Sequence, residues 1–262
     1  MKIGFMQGRL SPLYDGKIQA FPYNHWEEEF AIAKKLNIRL IEWTVDAKKI
    51  SVNPIYSESG RRRINENLNN ITINSLTADC IMQEPFWRNN NTDNEFLELV
   101  NASKLAGIKI IVFPLVDNSS LTSPEEDFLV NYFLGINQIL KESKVKIAFE
   151  SDYNKKKLYE FINRLPKESF GINYDIGNSA ALGYLPKEEI ETYGSRIINV
   201  HVKDRLKEGE TIKLGEGHAD FESAFQYLSR ENYQGNYIIQ AARAKDNKHD
   251  LALVEYFNFT KT

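Results

Sequence analysis

The strongest constraint on the fold is a regular alternation of short β-type runs with longer amphipathic segments. Strands are indicated by β-branched and aromatic runs, and helices by apolar residues three and four apart. Strict alternation of this kind predicts a parallel sheet. The predicted strands are KIGFM (2–6), RLIEW (39–43), TINSLTADC (72–80), KIIVFPL (109–115), KIAFE (146–150), FGINYD (170–175), RIINVHV (196–202) and YIIQ (237–240).

Helix-like segments between these runs cover 24–36, 93–107, 123–143, 220–232 and roughly 246–260. Asp93 is expected to cap the second segment and Ser123 the third, with Pro124 opening that helix. Eight strand–helix units in 262 residues are what a closed (β/α)8 TIM barrel needs, so we predict one barrel domain over 1–262. An open doubly wound sheet is the alternative, but MQGRLSP is not the dinucleotide-binding fingerprint.

Charge and cysteine usage restrict the partners and the compartment. The formal net charge of −3 offers no basic excess for nucleic acid. No segment approaches the roughly 20 apolar residues that span a bilayer, and the N-terminus lacks the apolar core of a secretion signal. The single cysteine, Cys80, fits a reducing compartment. We expect a cytoplasmic protein without a nucleic-acid or membrane partner, and the sequence leaves a homo-oligomer open.

Polar residues end four successive predicted strands, at the end of the barrel where active sites lie. They are Glu150, Asp175, His201 and Gln240. Each has an ordinary structural explanation alone, but their recurrence at neighbouring strand ends predicts a site. Residues two apart share a strand face, so Asn199 and Lys203 should point inward with His201. The ligand set suits Mn²⁺, Mg²⁺ or Co²⁺ and is also compatible with Zn²⁺.

At these residues the chain resembles the sugar phosphate isomerase/epimerase family, whose xylose isomerase-like barrels also include AP endonucleases of the endonuclease IV type. FESD, NYDIGNSAALGY, NVHVKDR and LGEGHADF follow in order, and NVHVKD with the later GEG and DF is the most specific signal. The resemblance covers nearly the whole chain. It implies one divalent metal on Glu150, Asp175, His201 and the strand-eight position, where the family has Glu and this chain has Gln240.

The resemblance also implies that the two glutamates exchange a proton with a carbon beside a carbonyl, on opposite faces. The Gln240 amide can bind metal through its oxygen, but it does not titrate and so cannot transfer this proton. The loss of this transfer matters because general acid–base catalysis contributes roughly 10²–10⁴-fold in rate. A one-base aldose–ketose isomerisation through Glu150 is the favoured outcome. In one alternative, Lys203, Asp204 or His218 replaces the proton-transferring glutamate that is missing from the strand-eight position. In the other, the protein binds a sugar without turnover. The predicted catalytic residues are Glu150, Lys203 and Gln240.

The remaining polar residues near strand ends are predicted to contact a sugar or sugar phosphate. Lysine and arginine suit a phosphate or carboxylate, arginine through a bidentate fork. A metal-dependent dehydratase or lyase acting on a polyol or dehydro acid is an alternative, because it also begins with proton abstraction. A nuclease with a trinuclear zinc site would need several histidines, and too few remain here because His25 lies in the first predicted helix and His249 near the last one. The predicted substrate contacts are Gln7, Arg9, Glu42, Asp79, Lys203, Asp204, Arg205 and Arg243.

Overall fold

The computed structural model describes residues 1–47, 50–88 and 94–261. Within them, eight parallel strands close into a barrel, which confirms the predicted (β/α)8 fold. A short antiparallel ribbon, β8 (Asp204–Arg205) and β9 (Thr211–Ile212), follows the seventh barrel strand. The barrel strands are β1 (Lys2–Met6), β2 (Leu40–Thr44), β3 (Thr72–Thr77), β4 (Ile110–Leu115), β5 (Lys146–Ser151), β6 (Phe170–Asp175), β7 (Ile197–Val202) and β10 (Asn236–Ile239).

All five predicted helices form within their expected segments, and further helices complete the outer layer. Thr122, not Ser123, is the N-cap of the longest helix, and its backbone N–H donates to Glu125 at 2.8 Å. The expected cap Asp93 lies outside the described residues. The helices are α1 (Trp26–Lys35), α2 (Glu58–Asn67), α3 (Asp79–Gln83), α4 (Asn94–Leu105), α5 (Ser123–Ser143), α6 (Lys155–Asn163), α7 (Ile176–Ala181), α8 (Pro186–Tyr193), α9 (Phe221–Arg230) and α10 (His249–Phe259).

Two apolar layers lie on the two faces of the barrel wall. Outside, aromatic rings from β4, β5 and α5 interlock, with the Phe113 and Phe133 centroids 5.2 Å apart and edge to face. Inside, small clusters such as Met6, Leu40 and Ile238 pack within the barrel. Val200 and Val202 join the outer layer, as the strand alternation predicts for neighbours of an inward His201.

Two strand ends differ from the predicted ones. Strand β2 continues to Thr44, so Glu42 lies in mid-strand instead of at its end. Strand β3 ends at Thr77, and Asp79 opens the short helix α3. Both shifts decide how deep the carboxylates sit in the barrel. Among the described residues, the helices are too short or too polar to cross a bilayer.

Candidate active site

Three predicted metal ligands converge at the carboxyl end of the barrel. Ligand atoms of Glu150 (β5), Asp175 (β6) and His201 (β7) all lie within 4.8 Å of one another. His201 Nδ1 is 3.1 Å from Glu150 Oε2 and 3.9 Å from Asp175 Oδ2. All three residues are buried. The inward register of β5, β6 and β7 therefore places two carboxylates and an imidazole around one point.

Glu42 lies beneath this cluster and fixes the orientation of His201. Its carboxylate is 2.7 Å from His201 Nε2 and also accepts hydrogen bonds from Ser75, Thr77 and Asn199. With Nε2–H donating to Glu42, the imidazole presents Nδ1 to the cluster. The sequence predicts that Glu42 contacts the substrate, but the longer β2 buries this carboxylate below the histidine, outside the described lining of the cavity that opens above the cluster.

The environment of His201 fits a cation at the cluster. Nδ1 is fully buried and has no aligned hydrogen bond among the described residues, although two carboxylates face it. Burial lowers the pKa of His201, but the carboxylates of Glu42 and Glu150 more than offset this and raise it to about 10. Such a nitrogen, held among carboxylate oxygens and oriented from behind by a glutamate, is the arrangement that divalent metal sites use.

Asn173 and Asn178 hold the two carboxylates in place through side-chain and backbone N–H groups. Glu150 accepts hydrogen bonds of 2.7 Å from both Asn173 and Asn178. Asp175 caps α7 by accepting from the Asn178 backbone N–H at 2.8 Å, which leaves its other oxygen facing the cluster. Burial opposes ionisation of both acids. His201 and Lys203 outweigh it at Glu150 and lower its pKa, whereas burial prevails at Asp175 and raises its pKa.

Gln240 directly follows β10 and is separated from the cluster by Lys203. Lys203 Nζ lies 3.2 Å from Asp175 Oδ2 and 3.3 Å from the amide oxygen of Gln240. The Gln240 amide nitrogen donates to Gln19 at 2.7 Å and to the Met6 sulfur at 3.3 Å. The amide is therefore held in one orientation, with its oxygen toward the cluster and its nitrogen toward the loop after β1.

A cavity of about 360 Å³ opens above the cluster. Its polar lining includes Glu150, Asp79, Lys203, Arg205 and Gln240, all of them predicted site residues. This volume lies within the range of small-molecule sites. A larger depression of about 1130 Å³ lies at the opposite end of the barrel and contains none of the cluster residues. The chemistry therefore belongs to the smaller cavity.

Four other residues predicted to contact the substrate use their polar groups within the fold. Arg9 donates to the carbonyls of Ala241 and Ile18, and Arg243 to the carbonyl of Ser11. Gln7 accepts from the backbone of Thr44 inside the barrel. Asp204 accepts from three backbone N–H groups of the loop that follows β9. None of Gln7, Arg9, Asp204 and Arg243 belongs to the described lining of the cavity.

Two residues that the sequence analysis did not single out complete the site. Gln19, in the loop after β1, donates to both oxygens of Asp79 at 2.8 Å, while its amide oxygen accepts from Gln240. Asn178 joins Glu150 to Arg205, whose guanidinium donates to it at 2.9 Å. The run DIGNS places Asn178 three residues after Asp175, which is a usable helix-cap signal. The loop around Gln19 carries no periodic signal.

The comparisons with known proteins agree with this fold. The sequence model of a family described as "Xylose isomerase-like TIM barrel" matches residues 30–256. A protein of Haemophilus influenzae named putative L-ribulose-5-phosphate 3-epimerase SgbU is 24% identical over 90% of this chain and 91% of its own length. Two solved structures share the fold: the zinc-bound IOLI protein (TM-score 0.76, 16% identity, 100% and 96% coverage), and the probable 3-DHS dehydratase AsbF of Bacillus anthracis (0.71, 13%, 98% and 99%).

Proposed function

The chain belongs to the xylose isomerase-like TIM-barrel family, and from that premise we propose a divalent-metal-dependent isomerase or epimerase of sugar phosphates. The observation that carries this proposal is the Glu150–Asp175–His201 cluster beneath a cavity of about 360 Å³. A relative that is named as an L-ribulose-5-phosphate 3-epimerase supports a pentulose phosphate as the substrate class.

Glu150 is the proposed base because it belongs to the Glu150–Asp175–His201 cluster and also lines the cavity. Glu150, Asp175 and His201 would hold the metal, whose chemistry is to polarise a carbonyl and a neighbouring hydroxyl oxygen. Asn173 and Asn178 hold the Glu150 carboxylate against the cavity wall. From there it removes a proton from the carbon beside the carbonyl, which leaves an enediolate.

Lys203 and Arg205 supply positive charge to the cavity beside the carboxylate cluster. The Lys203 ammonium faces Asp175 and Gln240, so it balances part of the negative charge of the cluster. The Arg205 guanidinium donates to Asn178 and to the Gly209 carbonyl, which holds it at the cavity wall. We propose that these two cations orient the phosphate and steady the developing oxyanion.

Solvent hydrogen exchange tests this function most directly. The protein is loaded with Mn²⁺ and incubated in D₂O with pentulose 5-phosphates, including L-ribulose 5-phosphate. Deuterium is expected at the carbon beside the carbonyl, and its appearance is followed by proton NMR and mass spectrometry. Glu150→Gln should lower the exchange rate by about 10²–10⁴-fold, because the amide cannot accept the proton.

Glu160→Gln is the matched control, because this glutamate lies on the exposed face of α6. It should exchange at the rate of the unmodified protein. Undiminished exchange by Glu150→Gln would rule out Glu150 as the base. Metal-dependent release of water from the sugar would instead favour a dehydratase, and ligand-induced thermal stabilisation without exchange would favour a binding protein.

A further inference from the structure

An epimerisation through an enediolate needs a proton delivered to the face opposite the one from which Glu150 removes it. Gln240 cannot deliver that proton, since an amide does not titrate in water. Two of the residues that were expected to replace the missing glutamate, Asp204 and His218, lie away from the cavity lining. The carboxylate of Asp204 is saturated by the loop backbone, and His218 accepts the Lys207 backbone N–H at 3.2 Å, away from the cavity lining.

Asp79 is positioned to deliver this proton. It lines the same cavity as Glu150 and is 3% exposed. Among the described residues its carboxylate accepts hydrogen bonds from Gln19 and forms no ion pair with lysine or arginine. A buried carboxyl group without a cationic partner readily keeps its proton.

The Gln19 amide places Asp79 beside the strand-eight position. Its nitrogen binds both Asp79 oxygens at 2.8 Å, and its oxygen accepts from the Gln240 amide at 2.7 Å. One amide group therefore separates Asp79 from Gln240. Glu150 is tied instead to Asn173 and Asn178, on the side of β6 and α7. The two carboxyl groups thus line the same cavity from β5 and from the residues after β3, with β4 between them.

We propose that Asp79, which follows β3, is the second proton-transfer residue and delivers a proton to the face of the carbon opposite the one that Glu150 contacts, which makes the reaction an epimerisation. The inference rests on the proposed function. Burial, with the neighbouring charges of Asp46 and Glu150, outweighs the Gln19 hydrogen bonds and the charge of Arg9 and raises the pKa of Asp79 to about 7. The group can therefore hold and release a proton near neutral pH.

Both proton transfers take place at the carbon beside the carbonyl. Glu150 takes the proton, and the electrons of the broken C–H bond form the C=C bond while the carbonyl oxygen gains the negative charge. The Asp79 O–H bond then breaks as its proton bonds to the same carbon from the other face, and the carbonyl reforms. Glu150 finishes protonated and Asp79 ionised. Both line a cavity that opens to water, which restores the starting protonation.

Asp79→Asn separates the two proton transfers. The variant keeps the shape of the side chain and an oxygen that can accept from Gln19. Formation of the epimer should fall by about 10²–10⁴-fold, while deuterium still enters the substrate with its configuration retained, because Glu150 still acts. Asp220→Asn is the control, since Asp220 caps α9 through the Ser223 backbone N–H and is not in the described lining of the cavity. It should epimerise normally.

Restoring a carboxylate at residue 240 tests whether Asp79 supplies the proton that Gln240 cannot. If Asp79 supplies the proton that Gln240 cannot, then adding Gln240→Glu to Asp79→Asn should recover epimerisation, which a purely structural role would not allow. Asp79→Ser serves in the same design if the asparagine variant does not fold.

The possible results separate the two proposals. Epimerisation by a folded Asp79→Asn protein, or loss of both activities without rescue, would overturn the role of Asp79. Exchange by the unmodified protein with formation of an aldose but no epimer would overturn this inference and leave the proposed function standing. An unmodified protein that exchanges no hydrogen would overturn both.

Discussion

At the scale of single residues, the contact between Glu42 and His201 controls the proposed metal site from below. The Glu42 carboxylate accepts from His201, Ser75, Thr77 and Asn199, whereas a glutamine there would turn an NH₂ group toward at least one of these donors. Glu42→Gln should therefore weaken Mn²⁺ binding by about 10–100-fold, the usual cost of losing such a partner. Titration calorimetry measures this affinity.

Glu222→Gln is a suitable control for that titration, because Glu222 lies exposed in the first turn of α9. It should bind Mn²⁺ as the unmodified protein does. An unchanged affinity in Glu42→Gln would show that the histidine needs no carboxylate to hold its orientation.

Alternation along a strand predicted much of the candidate site at this scale. Strand ends placed Glu150, Asp175, His201 and Gln240 at the barrel mouth, and alternation gave Asn199 an inward direction. It failed for Glu42, because the end of a strand is set by pairing with its neighbours: Glu42 pairs with Ser75 across a register shift that sequence does not show. It also missed Gln19, whose place depends on contacts with residues far along the chain.

At the scale of elements, Asp204 ties the loop after β7 to the cavity wall. Its carboxylate accepts from the backbone N–H groups of Gly215, Gly217 and Ala219, at 2.9 to 3.1 Å. A side chain at Gly217 would collide with this carboxylate, which explains why the second glycine of the GEG run is required. The ribbon that Asp204 anchors carries Arg205 and Thr211 into the cavity lining.

Asp204→Asn should loosen this ribbon and affect substrate binding more than chemistry. The amide offers one acceptor oxygen where the carboxylate offers two, and hydrogen bonds to a charged group contribute roughly 1.5–3 kcal/mol. We expect the free energy of unfolding to fall by about that amount and KM to rise, with kcat less affected. Urea denaturation and steady-state kinetics measure the two effects.

Asp220→Asn provides the comparison, because Asp220 caps α9 through the Ser223 backbone N–H at 3.0 Å. Asparagine is an equally good cap, so stability and KM should both stay near their original values. A rise in KM no larger in Asp204→Asn than in Asp220→Asn would show that the ribbon does not shape the cavity.

At the scale of the whole molecule, the stability of the barrel should depend jointly on metal and pH. Without metal, His201 has a pKa raised to about 10, so its protonation stabilises the fold most below its ordinary value of about 6.5. That contribution is lost as pH rises toward 10. A metal ion bound by His201 would displace the proton, so between pH 6.5 and about pH 10 the affinity for the metal should rise about tenfold per pH unit. Binding at one hundred times Kd stabilises by about 2.7 kcal/mol.

The increase in melting temperature caused by a fixed Mn²⁺ concentration should therefore grow from pH 6.5 to 8.5 and disappear with a chelator. His201→Gln should show no such growth, because it removes the titrating ligand while Glu150 and Asp175 remain. Calorimetry in buffers of different ionisation enthalpy should count close to one proton released per metal bound in the unmodified protein. A pH-independent increase with no proton release would place the metal away from His201, and the convergence of β5, β6 and β7 would need another explanation.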